Sequence, residues 1–99
     1  MLYHVRMDVH PPRDLDPAAF EKLKSEEKAR ALELQRQGKW LHLWRITGQY
    51  ANHSVFDVSD HDELHVILST LPLFPFMKVS VTAISQHPSS LTQQQSRAE

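Results

Sequence analysis

Three features of this 99-residue chain predict an α+β domain, a four-stranded antiparallel sheet with two helices on one face. Apolar residues switch between a period of two and a period near 3.6. The segments so defined run strand, helix, strand, strand, helix, strand. The two middle strands flank a turn of only a few residues, which joins them as an antiparallel hairpin.

The first strand is read from Tyr3, Val5, Met7 and Val9, which alternate with His4, Arg6 and Asp8 as in a strand with one buried face. Pro11 and Pro12 end it. Asp16 followed by Pro17 supplies an N-cap and a first helical residue. The helical stripe of Phe20, Leu23, Ala31 and Leu34 then runs on to Gly38, a suitable stop. Trp40 to Thr47 and Tyr50 to Val58 form the hairpin about Gly48 and Gln49. Strict alternation would put Trp40, His42, Trp44 and Ile46 on one face of its first strand and Leu41, Leu43, Arg45 and Thr47 on the other. Being apolar on both sides, that strand is expected at the centre of the sheet. Asp60 with Glu63 makes a capping box for a second helix bearing Leu64, Ile67, Leu68 and Leu71. After Pro72 and Pro75, Met77, Val79, Val81 and Ala83 mark the last strand. The order βαββαβ is the ferredoxin-like arrangement. Its helix-free face needs cover, which dimerisation would supply.

Length limits the chain to one domain, expected over residues 1–91 with a C-terminal arm, and a polar tail extension over Thr92 to Glu99. So small a chain buries only about 60 to 65% of its unfolded surface. A pocket hollowed from its core therefore favours a homo-oligomer. Eleven basic against twelve acidic residues, with neither sign in a block, leave no footprint for nucleic acid or an anionic membrane. The absence of cysteine rules out disulfides, thiolate metal sites and a cysteine nucleophile. Met1 to Val9 reads as a strand rather than a signal peptide, and no apolar run approaches membrane-spanning length, so a soluble cytoplasmic protein is expected.

Glu27 stands where an apolar residue is expected. Phe20, Leu23, Ala31 and Leu34 fall within an arc of roughly 80° on a helix turning about 100° per residue, and Glu27 projects from the middle of it. A carboxylate there is costly to bury unless paired or functional. Pairing with Lys24 or Arg30, its helical neighbours, is the plain alternative. Arg45 lies amid apolar residues and needs an anion, from the protein or from a ligand. Asn52 and Ser54 share a face with Phe56 and Val58 and so point inward, whereas ordinary polarity beside a turn would also account for them and for Tyr50 and His53. His61 and His65 have the i, i+4 spacing of helical metal ligands, yet the glutamate is out of place for a zinc protease and His61 belongs to an exposed first turn. No metal site is assigned to them. With two glycines, a nucleotide-cradling loop is close to excluded.

The opening Met1-Leu-Tyr-His-Val-Arg-Met-Asp-Val9, the segments Glu27-Lys-Ala-Arg30 and Glu33-Leu-Gln-Arg-Gln-Gly-Lys-Trp40, then His42-Leu-Trp-Arg45, Tyr50-Ala-Asn52, Ser54-Val-Phe-Asp-Val58, Asp62-Glu-Leu-His65, Leu71-Pro-Leu-Phe-Pro-Phe76 and His87-Pro-Ser-Ser90 closely resemble the muconolactone delta-isomerase family. The resemblance covers residues 1 to about 91. It implies a dimeric α+β barrel assembled into a decamer, a tail that wraps a neighbouring subunit, and no metal or organic cofactor. The implied reaction belongs to bacterial catechol degradation and moves the ring double bond of muconolactone to give 3-oxoadipate enol-lactone. The family's paired Glu and Lys fall on Glu27 and Lys28. Related enzymes that dehalogenate 5-chloromuconolactone share much of the pattern, and a non-catalytic dimeric binding module on this fold is a reading from another class. In the implied chemistry Glu27 is the proton shuttle, and Lys28, about 100° around the helix from it, borders the same pocket only if its stem curls back or another subunit contributes. Arg45 is the first choice to hold the substrate carboxylate and His53 the second, with Tyr50, Asn52 and Ser54 as hydrogen-bonding partners.

Overall fold

The computed structural model describes residues 1–91, and the expected tail extension, Thr92 to Glu99, lies outside the described residues. Strand β1 (Leu2–Val9) leads to helix α1 (Pro17–Arg36), strands β2 (Trp40–Arg45) and β3 (Ala51–Asp57), helix α2 (His61–Ser69), a 3-10 turn (Phe74–Phe76) and strand β4 (Met77–Ile84). The sheet runs β2-β3-β1-β4, and each neighbouring pair is antiparallel.

Local chemistry sets each helix start. The Asp16 carboxylate accepts from the Ala19 N–H at 3.3 Å ahead of Pro17, and Asp60 accepts from Glu63 N–H at 2.8 Å. Glu63 reaches one residue beyond the usual reciprocal partner, to the N–H of Ser59 at 3.1 Å. Gly38 closes α1 with φ +75°, a conformation in which a side chain would be strained.

Tyr3, Val5 and Met7 on β1 form one core with Ala31 and Leu34 of α1, Leu64, Ile67 and Leu68 of α2, and Phe56 of β3. Both helices therefore cover the same face of the sheet. Phe56 is completely buried and stacks on Trp40 at 4.8 Å. Truncation of such a residue to alanine typically costs about 3 to 5 kcal/mol.

Strand β2 departs from the sequence expectation twice. It is an edge strand, so its exposed apolar side chains mark an open border rather than the middle of the sheet. The register also shifts between Trp40, opposite Phe56, and His42, opposite Val55. This irregularity passes over Leu41 and moves Trp40 onto the inner face with Leu43 and Arg45, while His42 and Trp44 stay outside. On the helix-free face His4 Nε2 and His53 Nδ1 are hydrogen bonded at 2.9 Å, and Trp44 is 57% exposed. Among the described residues no helix is long and apolar enough to cross a membrane.

Candidate active site

Between α1 and the inner face of the β2-β3 hairpin lies a cleft of ≈ 490 Å³. That volume suits a small organic ligand. Its apolar wall includes Val9, Ala31, Leu43, Leu73 and Met77, and its polar groups include Glu27, Lys28, Arg45, Tyr50 and Asn52. Five of the seven residues singled out from the sequence for catalysis and substrate binding thus share one cavity.

Glu27 is half-buried in this wall. Its two plausible cationic neighbours are engaged elsewhere, Lys24 with Glu21 at 2.6 Å and Arg30 with Glu33 at 3.1 Å. Among the described residues no cation pairs with Glu27. Instead Oε1 accepts the backbone N–H of Leu73 at 3.0 Å. Burial pushes the carboxyl above the ordinary glutamate range, and the Leu73 hydrogen bond draws it part of the way back. A carboxylate kept in an apolar setting with a raised pKa is a stronger base than a solvated one, which suits it to taking up and releasing a proton. Lys28, one residue along the helix, also borders the cleft despite its offset of about 100° around the axis.

Arg45 and Tyr50 stand at the exposed end of the hairpin, with the guanidinium 5.4 Å from the ring centroid. No carboxylate among the described residues forms an ion pair with Arg45. Deeper in the cleft, Asn52 Oδ1 accepts from Ser54 Oγ at 2.7 Å, and Asn52 Nδ2 lies 3.7 Å from Met7 Sδ.

Two candidates fall elsewhere. Ser54 is wholly buried behind Asn52 and does not line the cleft. His53 is opposite Arg6 on β1 and Trp44 on β2, on the helix-free face, so the sheet separates it from Glu27. The alternation of β3 that turns Asn52 and Ser54 inward turns His53 outward. The Leu73 amide and the Trp40 wall were not foreseen. A backbone donor leaves no mark in side-chain pattern, and Trp40 reaches the cleft only through the register shift that follows it.

A family model described as muconolactone delta-isomerase matches residues 1–90. The chain is 56% identical over 91 residues to the muconolactone delta-isomerase of Cupriavidus pinatubonensis, covering 92% of this chain and 99% of the relative. It is 57% identical over 91 residues to that of Acinetobacter baylyi, with 92% and 95% covered. A solved structure titled as muconolactone isomerase at 3.3 ångströms superposes with a TM-score of 0.87 at 54% identity, with 92% of this chain and 95% of that one covered.

Proposed function

Because the chain belongs to the muconolactone delta-isomerase family, we propose that it isomerises muconolactone to 3-oxoadipate enol-lactone, with Glu27 as the proton shuttle. The observation that carries this reading is the half-buried Glu27 carboxyl, unpaired with any described cation and opening on a cleft of ligand size.

The ring proton on the carbon bearing the carboxymethyl group is acidified through the conjugated lactone. Ionised Glu27 removes it, and the C–H electron pair moves into the ring to give a dienolate with its charge on the carbonyl oxygen. Glu27 then returns the proton to the carbon beside the carbonyl, two positions away. The ring double bond has moved, and no electrons are gained or lost overall. One base suffices because both carbons lie on the same small ring. Arg45 binds the substrate carboxylate at the mouth of the cleft, Tyr50 holds the guanidinium, and Lys28 adds positive potential at the rim. Turnover of muconolactone by purified protein, followed by ultraviolet absorbance, tests the reading. Glu27→Gln should fold and lose at least ~10²-fold in kcat. Wild-type activity in that variant would remove Glu27 from the mechanism. The 5-chloro lactone, run in parallel, separates simple isomerisation from chloride release.

The domain works as an oligomer built from dimers and assembled further to a decamer. Residues 1–91 form its single domain, and the exposed segment after β4 serves as an arm toward a neighbouring subunit. Trp44, Val81, Ile84 and Leu91 are 57%, 48%, 38% and 71% exposed, an amount of open apolar surface that association would cover. Light scattering should show a species larger than a dimer, and a stable monomer at micromolar concentration would contradict this assembly.

A further inference from the structure

The Asn52 amide is fixed by residues that cannot turn away from it. Asn52 lies on the inner face of β3, opposite Met7 of β1 and Arg45 of β2. Its Nδ2 faces Met7 Sδ at 3.7 Å, and its Oδ1 accepts from the Ser54 hydroxyl at 2.7 Å. A thioether sulfur can accept a hydrogen bond but cannot donate one. The amide therefore has its nitrogen toward Met7, since the flipped side chain would set Oδ1 against the sulfur lone pairs. Met7 and Ser54 are both 0% exposed, so close packing holds both partners in place. One N–H of the amide is spent on the sulfur. The other has no acceptor among the described residues, and the side chain borders the cleft that contains Glu27.

We infer that Asn52 donates this second N–H to the lactone carbonyl oxygen, the atom on which the dienolate charge comes to rest, and that Ser54 is a positioning residue that orients the amide without touching substrate. The assignment rests on the isomerase reading above and divides the two acceptors of the substrate between two zones of the cleft. Arg45 and Lys28 are exposed cations, so a carboxylate beside them keeps part of its hydration. Set against Asn52 it would give up that hydration for one neutral donor, at a large cost. A carbonyl oxygen meets the opposite balance. It exchanges a water hydrogen bond for a donor already oriented, and that bond strengthens as charge develops. When Glu27 takes the proton, the displaced electron pair runs through the conjugated ring to this oxygen. When the proton returns at the second carbon, the pair reforms the carbonyl.

The experiment compares wild type, Asn52→Ala, Asn52→Asp and Ser54→Ala in muconolactone turnover across pH. It also records the infrared carbonyl stretch of the saturated lactone, which lacks the ring double bond and cannot react, bound to each protein. Removal of one oxyanion donor should lower kcat by about 10²- to 10³-fold in both Asn52 variants. KM should change much less, and the acid limb set by Glu27 should stay in place for Asn52→Ala. Ser54→Ala should lower kcat by about tenfold, because the amide then keeps Met7 but loses the partner that holds its oxygen, with KM and the acid limb unchanged. The carbonyl stretch should shift to lower frequency on binding to wild type and lose that shift in both Asn52 variants. Asn52→Asp is nearly isosteric and keeps the acceptor for Ser54, so it supplies the result if Asn52→Ala fails to fold. Retention of kcat within about threefold in an Asn52 variant, or an unchanged carbonyl shift, overturns the assignment while leaving the isomerase reading intact. An inactive wild type would overturn both.

Discussion

The Leu73 backbone N–H donates to Glu27 Oε1 across 3.0 Å, joining α1 to the turn that follows α2. This bond positions the carboxylate without neutralising it. A lysine in the same place would have offset burial through its charge and held the pKa down. An amide dipole offsets less, and burial remains the larger effect on the Glu27 carboxyl. Lys24 and Arg30, which could have neutralised Glu27, are held instead by Glu21 and Glu33.

Rate should therefore depend on pH through Glu27. The base is active when ionised, so kcat/KM should rise with pH along a limb whose midpoint lies above the ordinary glutamate value of about 4.3. A pH-rate profile of the wild type provides the measurement. A limb at the ordinary value would mean that the carboxyl is solvated in the working enzyme, contrary to its half-buried position.

The same shift makes a thermodynamic statement. A carboxyl with a raised folded-state pKa contributes stability that is fully present below the unfolded value, about 4.3, and lost as pH rises through the folded value. At pH 8 ionised Glu27 thus opposes folding, whereas a neutral glutamine would not, and its side-chain oxygen still accepts from Leu73. Glu27→Gln should melt at a higher temperature than wild type at pH 8, with the difference vanishing near pH 4. A variant less stable at pH 8 would show that the carboxylate is a structural brace.

Glu27 was legible in the sequence because its neighbours on the helical stripe are apolar, and Ala31 and Leu34 are indeed buried beside it. Strand β1 was legible for a related reason: one face is buried, so period-two alternation survives in its residues. The cap residues Asp16 and Asp60 act within a single turn and carry their own signature. Strand β2 was misread where information is not local. Its edge position follows from how the crossovers stack the strands, and its faces follow from one irregular step between Trp40 and His42, which no residue there announces. His53 was grouped with Asn52 and Ser54 by chemistry, although alternation alone separates it from them.

Arg45 should govern affinity more than rate. Its guanidinium is exposed and steadied by Tyr50 at 5.4 Å, so its bond to a substrate carboxylate is partly screened by water. Arg45→Met should raise KM by about tenfold with a smaller change in kcat, between the values for an exposed ion pair and a fixed charge-assisted bond. KM of the wild type should also rise with ionic strength, and this dependence should weaken in the variant. An unchanged KM would transfer the carboxylate to Lys28, the other exposed cation of the cleft.

Chelation should leave turnover intact. His61 and His65 have the spacing of helical metal ligands, but they border a different groove, with Asp62, Leu64, Leu68 and Val81, that shares no lining residue with the cleft of Glu27. A metal ion held there could not polarise a lactone carbonyl placed beside Glu27. Their own surroundings are weak for binding too. The His61 side chain is 78% exposed and lies 3.7 Å from Asp62, and among the described residues no three histidine, aspartate or glutamate side chains come together as a ligand set. The proton shift itself asks only for a base and a donor at the carbonyl oxygen. Activity after exhaustive treatment with a strong chelator should match the untreated protein, and His61→Ala should stay within about twofold of wild type, as expected for an exposed first-turn residue. Loss of turnover on chelation, restored by zinc or manganese, would require a Lewis acid at the carbonyl and displace the Glu27 mechanism argued above.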